Sequence, residues 1–191
     1  MKKWKLAFLA LLAVNLFFVI GLVWYLSTPS KDYATYQAIK SKAIAGNTVV
    51  VNTTKSDFEG IANTYIQKAM KDQPIPLTLS VADDVSISTE LNIFSVKLPI
   101  LMKFEPLVQE DGNLLLEQKS VEVGMLDIPP ESALKLLRDS VDLPEFMEVM
   151  PADEEVLLKL TEIPLDEGLS VRATSFNLEE DDIRLLVTIE P

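Results

Sequence analysis

The sequence predicts an α+β protein: an N-terminal transmembrane helix followed by an antiparallel, curved β-sheet domain packed on one long amphipathic helix and a second short helix. Three observations predict this class. Residues 6–26 form an uncharged apolar run, residues 77–104 show two-residue apolar alternation, and residues 57–71 carry apolar side chains at helical spacing. About 160 residues follow the apolar run, which is enough for one buried core.

The N-terminal segment is predicted to be a membrane anchor. Three lysines give residues 1–5 a basic head, and residues 6–26 carry no charge. At about 1.5 Å per residue, a helix of that length matches the hydrocarbon core of a bilayer. The run ends in Trp24-Tyr25 and not in a small-residue cleavage site, which favours an uncleaved anchor over a signal peptide. The lysines predict a cytoplasmic N-terminus, a single pass through the cell membrane and an extracytoplasmic remainder.

Between the anchor and the domain, residues 27–47 are expected to form a juxtamembrane link with a weak helix from Tyr33 to Ala45. The domain, residues 48–191, is predicted to begin with a short β-branched strand and then the long helix. Ser56 and Glu59 match the S-x-x-E capping box at the start of that helix. One stripe is expected to face the sheet, and it consists of Phe58, Ile61, Ala62, Tyr65, Ile66 and Ala69.

Two successive stretches of half-buried β-strand are predicted in residues 77–104. Large apolar residues occupy most odd positions from Leu77 to Ile93, with an interruption at Asp83-Asp84, and the even positions from Phe94 to Phe104. Because a change of phase by one residue turns every side chain over, the chain must reverse or bulge near Ile93-Phe94. Pro99 cannot donate a hydrogen bond, which predicts that the second strand lies at an edge or is bulged.

The remaining elements are predicted from turn residues and alternation. Glu105-Pro106 is expected to interrupt strand pairing, and Pro129-Pro130 is expected to start the short helix at about Glu131. The further strands are expected from Leu114 to Met125, from Met150 to Ile163, from Leu169 to Ala173 and from Ile183 to Ile189.

Composition excludes several kinds of chemistry. The chain has no cysteine and no histidine, which removes disulfides, thiolate metal sites, Ser-His-Asp and Cys-His catalysis and the ordinary zinc sites. All 29 acidic residues follow position 31 and three of the 17 basic residues precede the apolar run, so the chain after Lys5 carries 14 minus 29, or −15. Such a surface repels nucleic acid, and solubility is its simplest explanation.

Two patterns in the sequence resemble reactive sites but lack the residues that such sites need. Ser132 and Lys135 match S-x-x-K, but the companion motifs S-D-N and K-T-G are missing, so no catalytic residue is assigned and the chain is predicted not to be an enzyme. The acidic runs at Asp83-Asp84, 153–155 and 179–182 lack the spacing of a calcium loop and are typical of solvated turns. No metal site and no cofactor are predicted.

The leading functional hypothesis is an apolar cleft between the sheet and the long helix, holding a lipid or another amphiphile. It depends on an excess of large aliphatic residues on long strands over the helical residues available to cover them. Packing in a core is the simpler explanation of the same pattern. The alternative function is a module that positions or regulates another cell-envelope protein. Candidate cleft residues are Phe58, Ile61, Tyr65, Leu91, Ile93, Val96, Leu98, Ile100, Met102 and Phe104.

Several segments carry a family resemblance, in addition to the basic head and the apolar span. They are S-D-F-E-G-I, I-F-S-V-K-L-P-I-L-M-K-F-E-P, E-D-G-N, V-G-M-L-D-I-P-P, L-P-E-F and F-N-L-E-E-D-D-I. Together these segments resemble the YpmS family of bacterial membrane-anchored proteins over nearly the whole chain. The resemblance implies a Gram-positive single-pass protein of undetermined activity, with no catalytic residues to transfer. The layout is also similar to extracytoplasmic domains that enclose lipids, a likeness of fold alone.

Overall fold

The computed structural model describes residues 2–28, 46–71, 76–93, 96–124, 128–165 and 168–189. The chain divides into two compact units, Met1–Lys31 and Asp32–Pro191. The first unit contains helix α1 (Lys2–Ser27), and its segment Lys3–Tyr25 is long and apolar enough to cross a membrane, by length and composition. The weak helix predicted from Tyr33 to Ala45 lies outside the described residues.

The described part of the second unit combines antiparallel strands with two α-helices, which confirms the predicted α+β layout. Short 3₁₀ turns occur at Pro151–Asp153 and Leu160–Glu162. The elements are β1 (Asn47–Thr53), α2 (Lys55–Ala69), β2 (Leu77–Val81), β3 (Val85–Ile93), β4 (Val96–Val108), β5 (Leu114–Val123), α3 (Pro130–Ser140), β6 (Met147–Met150), β7 (Glu155–Leu158), β8 (Leu169–Asn177) and β9 (Asp182–Ile189).

The described strands form two sheets. One has six strands in the order β2-β3-β4-β5-β7-β6, and the other has three in the order β1-β9-β8. Every pair is antiparallel. The β4–β5 turn joins the two sheets, because the Gly112 carbonyl accepts a hydrogen bond of 2.8 Å from Ala173 N in β8. Gly112 has φ +83°, and a Cβ there would lie 2.5 Å from the Cβ of Arg172, so the position requires glycine.

The change of phase between β3 and β4 is confirmed as a chain reversal. Ile93 pairs with Val96, and Ile87 pairs with Met102. The two numbers of each pair add up to 189, which is odd, so odd-numbered residues of β3 lie directly opposite even-numbered residues of β4. Directly opposed residues share a face of the sheet, and the two apolar sets therefore form one surface.

Strand β4 is bulged, which is one of the two alternatives predicted for it, and it does not lie at an edge. It lies between β3 and β5, with the register shift at Lys103/Phe104. The Pro99 carbonyl accepts a hydrogen bond from Gly124 N, so its nitrogen also faces β5, just beyond the last ladder residue, Val123. The backbone N–H that Pro99 lacks would therefore face the end of β5, where the ladder stops. Pairing also continues past Glu105-Pro106, where an interruption was expected.

The single strand predicted from Met150 to Ile163 is also wrong. β6 ends at Met150, a 3₁₀ turn begins at Pro151, and the chain reverses through Glu154, which has a left-handed φ of 57°. β7 then pairs back against β6. Proline has a fixed φ and no N–H, so it favours a turn at this point over an extended ladder.

The core lies on the inner face of the six-stranded sheet. Leu79, Ile87, Met102 and Phe104 are at most 1% exposed. Helix α3 adds Ala133, Leu134 and Leu137 to the same cluster, with α2 contributing Phe58 and Ile66. A small satellite cluster groups Leu115, Met150 and Leu157.

Helix α2 covers the outer edge of β2 through two side chains. The Asn63 amide donates to the Leu79 carbonyl at 2.7 Å and accepts from Leu79 N at 2.9 Å. Glu59 Oε2 accepts from Val81 N at 2.8 Å. The predicted capping pair is therefore wrong: the cap is Thr54, whose Oγ1 accepts from Asp57 N.

Candidate apolar groove

An apolar groove of about 110 Å³ lies between α2 and the two sheets. Phe58, Ile61, Ala62 and Tyr65 of α2 form one wall. The rest consists of single side chains from β2, β6, β7, β8 and β9, together with Ile66 of α2, the residue that precedes β6 and the segment around the second 3₁₀ turn. The surface that faces this space is entirely apolar.

Curling of the six-stranded sheet forms part of the groove. Leu79 belongs to β2 and Met147 to β6, which are the first and last strands in the order of that sheet. Both side chains nevertheless line the same groove. The sheet must therefore curve far enough to bring its two edges to one space, as the usual twist of sheets allows.

The three-stranded sheet supplies the other side of the groove. Leu185 of β9 lines it, as does Val171 of β8. Leu185 lies directly opposite Val51 of β1, and Val187 lies opposite Val49. Because paired residues share a face, Val49 and Val51 extend the groove wall beyond the enclosed space. Val49 is 51% exposed and Val51 is 39% exposed.

The ends of the α2 wall differ in exposure. Phe58 is buried and meets the Phe176 ring edge-on, with centroids 5.0 Å apart. Ile61 is 53% exposed. Tyr65 is half-buried, with Lys68 Nζ 5.2 Å from its ring centroid. Phe58 therefore closes the groove on the core side, and Ile61 lies at the solvent rim.

The ten predicted cleft residues fall into three groups. Phe58, Ile61 and Tyr65 line the groove. Leu98 packs against the core, and Ile100, Met102 and Phe104 are at most 1% exposed within it. The side chains of Leu91, Ile93 and Val96 lie outside the described part of the structure.

Sequence reasoning missed the groove residues from β2, β6–β9 and the second 3₁₀ turn. Val171 and Leu185 stood in alternating strands that were predicted correctly. The sequence pattern did not show which apolar face the fold leaves partly uncovered. Periodicity identifies an apolar face but not the element that covers it.

Two described side chains have a shifted pKa, and neither of them lines the groove. Burial, followed by the charges of Asp153 and Glu117, raises the pKa of Glu155. A hydrogen bond to Glu148 raises the pKa of Lys159. Neither titrating residue lines the groove.

The residues of the S-x-x-K pattern are both buried on α3. Ser132 is 3% exposed and Lys135 is 9% exposed, and neither belongs to the groove lining.

Among the described residues, no group of three or more acidic side chains is arranged to hold a metal ion. In chemical terms, the groove wall can bury hydrocarbon but offers a ligand no charged partner.

Fold and groove together define a class: a protein with an N-terminal helix suited to cross a membrane and an α+β domain carrying an apolar groove. The chain belongs to the family described as "Uncharacterized protein conserved in bacteria (DUF2140)", which matches residues 2–189. It is similar to "Uncharacterized protein YpmS" of Bacillus subtilis (strain 168), with 29% identity over 183 residues, 96% of this chain and 95% of the relative. The family resemblance is thus confirmed. No solved structure matches the chain.

Proposed function

We propose that this chain is a membrane-anchored, non-enzymatic protein whose extracytoplasmic domain binds the hydrocarbon part of a lipid or similar amphiphile in the apolar groove. The observation that carries the proposal is the continuity between the groove and the exposed face of the three-stranded sheet. Half-exposed valines of β1 extend the wall formed by Leu185 and Val171. Contiguous exposed apolar surface of this kind is typical of interaction and ligand-binding sites.

The size of the groove limits what enters it. Sites for drug-sized ligands usually have volumes of about 300–1,000 Å³, whereas an apolar cavity of about 150 Å³ accommodates benzene. At about 110 Å³, the groove suits a stretch of one acyl chain and not a whole phospholipid. The rest of the acyl chain would lie along the exposed face next to β1, and the polar head of the lipid would remain in solvent.

A binding role without catalysis agrees with the chemistry of the groove. Acyl transfer or hydrolysis needs a nucleophile, a base and donors aimed at the developing charge. The groove wall presents no polar surface, and Ser132 and Lys135 lie buried on α3. The proposal therefore assigns binding to burial of hydrocarbon alone, at about 25 cal/mol per Å² of apolar surface removed from water.

The proposed extracytoplasmic orientation of the domain is supported by the lysines at the head of α1. Positive charge next to a membrane span is usually retained in the cytoplasm. Because the chain has no cysteine, a single Thr64→Cys variant on exposed α2 surface gives a clean test. We expect a membrane-impermeant maleimide to label it on intact cells. Labelling that requires prior lysis would place the domain in the cytoplasm and remove this part of the proposal.

The test of binding compares two charge insertions on one helix. A photoactivatable, diazirine-bearing fatty acid is added to membranes that contain the full chain, and crosslinked peptides are mapped by mass spectrometry. In the unmodified chain we expect fatty-acid adducts on residues 55–69, which form α2. Ile61→Glu places a carboxylate at the groove rim and should reduce those adducts at least tenfold, because a charge resists burial beside hydrocarbon. Thr64→Glu, three residues away and exposed, is the matched control and should retain them.

The anchor provides an internal reference in the same experiment. Adducts on α1 should be equally abundant in all three proteins, since that helix meets lipid whatever the groove does. Reduced labelling at 55–69 in both variants would indicate damage to α2 and not to a binding site. Adducts confined to α1 in the unmodified chain would reject the binding proposal.

A further inference from the structure

The described strands leave four outer sheet edges, and three of them are protected. Asn63 and Glu59 of α2 occupy the edge of β2. The β4–β5 turn occupies the edge of β8, where Ala173 N donates to the Gly112 carbonyl, next to a bulge. β6 contains four residues. Covering, bulges and shortness are the devices by which soluble proteins prevent unwanted strand pairing.

Within the part of the chain that the structure describes, strand β1 has none of these devices. It is seven residues long and pairs without a bulge along its whole length with β9. No described residue pairs with its other edge. Its sequence, N-T-V-V-V-N-T, contains no charge and no proline. Val49, Val50 and Val51 are 39–61% exposed, so both faces of the strand present apolar side chains at an open edge.

The sequence of β1 is complementary to itself. Reversed, N-T-V-V-V-N-T becomes T-N-V-V-V-T-N, so antiparallel pairing centred on Val50 places valines opposite valines and the polar residues opposite one another. An interface between two identical chains related by a two-fold axis requires this kind of self-complementarity. The neutrality of β1 also matters, because the chain carries a net charge of −12 and a charged edge would repel its copy.

We propose that β1 is a homodimerisation edge, which pairs antiparallel with β1 of a second copy so that the two three-stranded sheets become one sheet of six strands. Asn47 would then lie opposite Thr53 of the copy, and Val50 opposite Val50. Val49 and Val51 of both copies lie on one side of the joined sheet, because a two-fold axis through an antiparallel pair runs perpendicular to the sheet. The apolar faces of the two copies thus become continuous.

Backbone geometry restricts the allowed registers. Alternate residues of a strand direct their N–H and C=O groups to one edge, so only pairings that place odd residues opposite odd residues form a regular ladder. Pairs whose numbers add up to 100 satisfy this condition and maximise valine overlap. A shift by two residues in either direction places Val50 opposite Asn52 or Thr48 instead, and loses valine contact.

The interface is expected to be weak in dilute solution. Two seven-residue edges bury much less than the roughly 1,600 Å² of a standard stable interface. Two chains held in one membrane meet at a high effective concentration, which favours a modest contact. The test therefore uses the full chain in membranes.

The absence of cysteine from the sequence makes disulfide crosslinking specific. In an antiparallel ladder, directly opposed Cα atoms lie about 4.5–5.5 Å apart, within the range for a disulfide. Val50→Cys should therefore form a crosslinked dimer under mild oxidation. Thr48→Cys alone is the matched control on the same face: it faces position 52 of the copy, so two introduced thiols lie about 14 Å apart along the strand, at about 3.4 Å per residue.

The register predicts a specific pattern among four samples. Val50→Cys should give at least tenfold more dimer than Thr48→Cys or Asn52→Cys alone, and co-expressed Thr48→Cys and Asn52→Cys chains carrying different tags should crosslink as strongly as Val50→Cys. Equal crosslinking of the three single variants would indicate random collision and overturn the proposal. Absence of any Val50→Cys dimer, or a crosslink from Val50→Cys to a protein of another mass, would also overturn it.

Discussion

The two sheets of this domain place similar apolar strands in different environments. On the six-stranded sheet, Ile87, Met102 and Phe104 are at most 1% exposed, and α2 seals the outer edge of β2. On the three-stranded sheet, Val49 and Val51 remain 51% and 39% exposed, and no described residue covers the outer edge of β1. The difference lies in what packs on each face and not in the strands themselves. Apolar alternation marks a surface that avoids water, and only tertiary packing decides whether that surface becomes core or binding site.

The largest expected effect comes from truncating a side chain on the buried face of the six-stranded sheet. Phe104→Ala removes a fully buried ring at the β4 bulge and should lower the free energy of unfolding by about 3–5 kcal/mol, because lost burial and a residual cavity add up. Val51→Ala, on the half-open face, should cost less than about 1 kcal/mol. Urea denaturation of the purified chain measures both. Comparable losses from the two variants would mean that the three-stranded face is covered as completely as the core.

An intermediate effect is expected at the edge of β2. Asn63→Ala removes both hydrogen bonds to Leu79 and leaves a partly buried N–H and C=O without their partner. The expected loss is about 1–3 kcal/mol of unfolding free energy. Thr64→Ala is the matched control, since that exposed hydroxyl donates only to the Gly60 carbonyl one turn earlier. Its change should lie within about 0.5 kcal/mol.

The same variants also test the comparison between edges. If Asn63 protects β2 from strand pairing, Asn63→Ala should increase concentration-dependent aggregation in light scattering. Thr64→Ala should behave like the unmodified chain. Asn63→Ala could instead lower the free energy of unfolding without aggregating more than the unmodified chain at the same folded fraction. That result would show that the rest of α2 is enough to cover this edge.

Local signals in the sequence were enough for much of the fold. The change from odd to even apolar phase predicted the β3–β4 reversal, because strand periodicity is a property of neighbouring residues. The helical stripe predicted α2 and its inward-facing Phe58 for the same reason. Glu59 was assigned to a helix cap because its spacing from Ser56 fits, whereas it binds Val81, 22 residues away. No local pattern contains that contact.

The candidate site was predicted only in part, and the reason is physical. Three of the ten proposed residues, Phe58, Ile61 and Tyr65, line the groove. The strongest alternation, around Met102, marks the best-buried strands and hence the centre of the core. A groove forms where packing is incomplete, at the junction of α2, the curled sheet edges and the three-stranded sheet. Its residues outside α2 share no sequence period, since they come from elements far apart in the chain.

The smallest expected effect concerns a like-charge pair at the outer end of the six-stranded sheet. Glu155 of β7 lies directly opposite Glu117 of β5, and burial, then Asp153 and Glu117, raises the pKa of Glu155 above 4.5. A raised carboxyl pKa means that the folded state holds the proton more tightly than the unfolded state. The protonated Glu155 carboxyl therefore contributes stability below about pH 4.5, and this contribution is lost as the pH rises through the folded-state pKa.

Glu155→Gln should accordingly raise Tm at pH 7 by about 1–2 °C, because an opposed like-charge pair costs less than about 1 kcal/mol. Glu117→Gln should give part of the same gain, since it removes one of the charges acting on Glu155. Thermal scans at pH 7 and pH 3.5 separate this effect from a packing effect. The gain should disappear at pH 3.5, where the carboxyl is already protonated, so a gain of equal size at both pH values would assign it to side-chain packing and contradict the charge explanation.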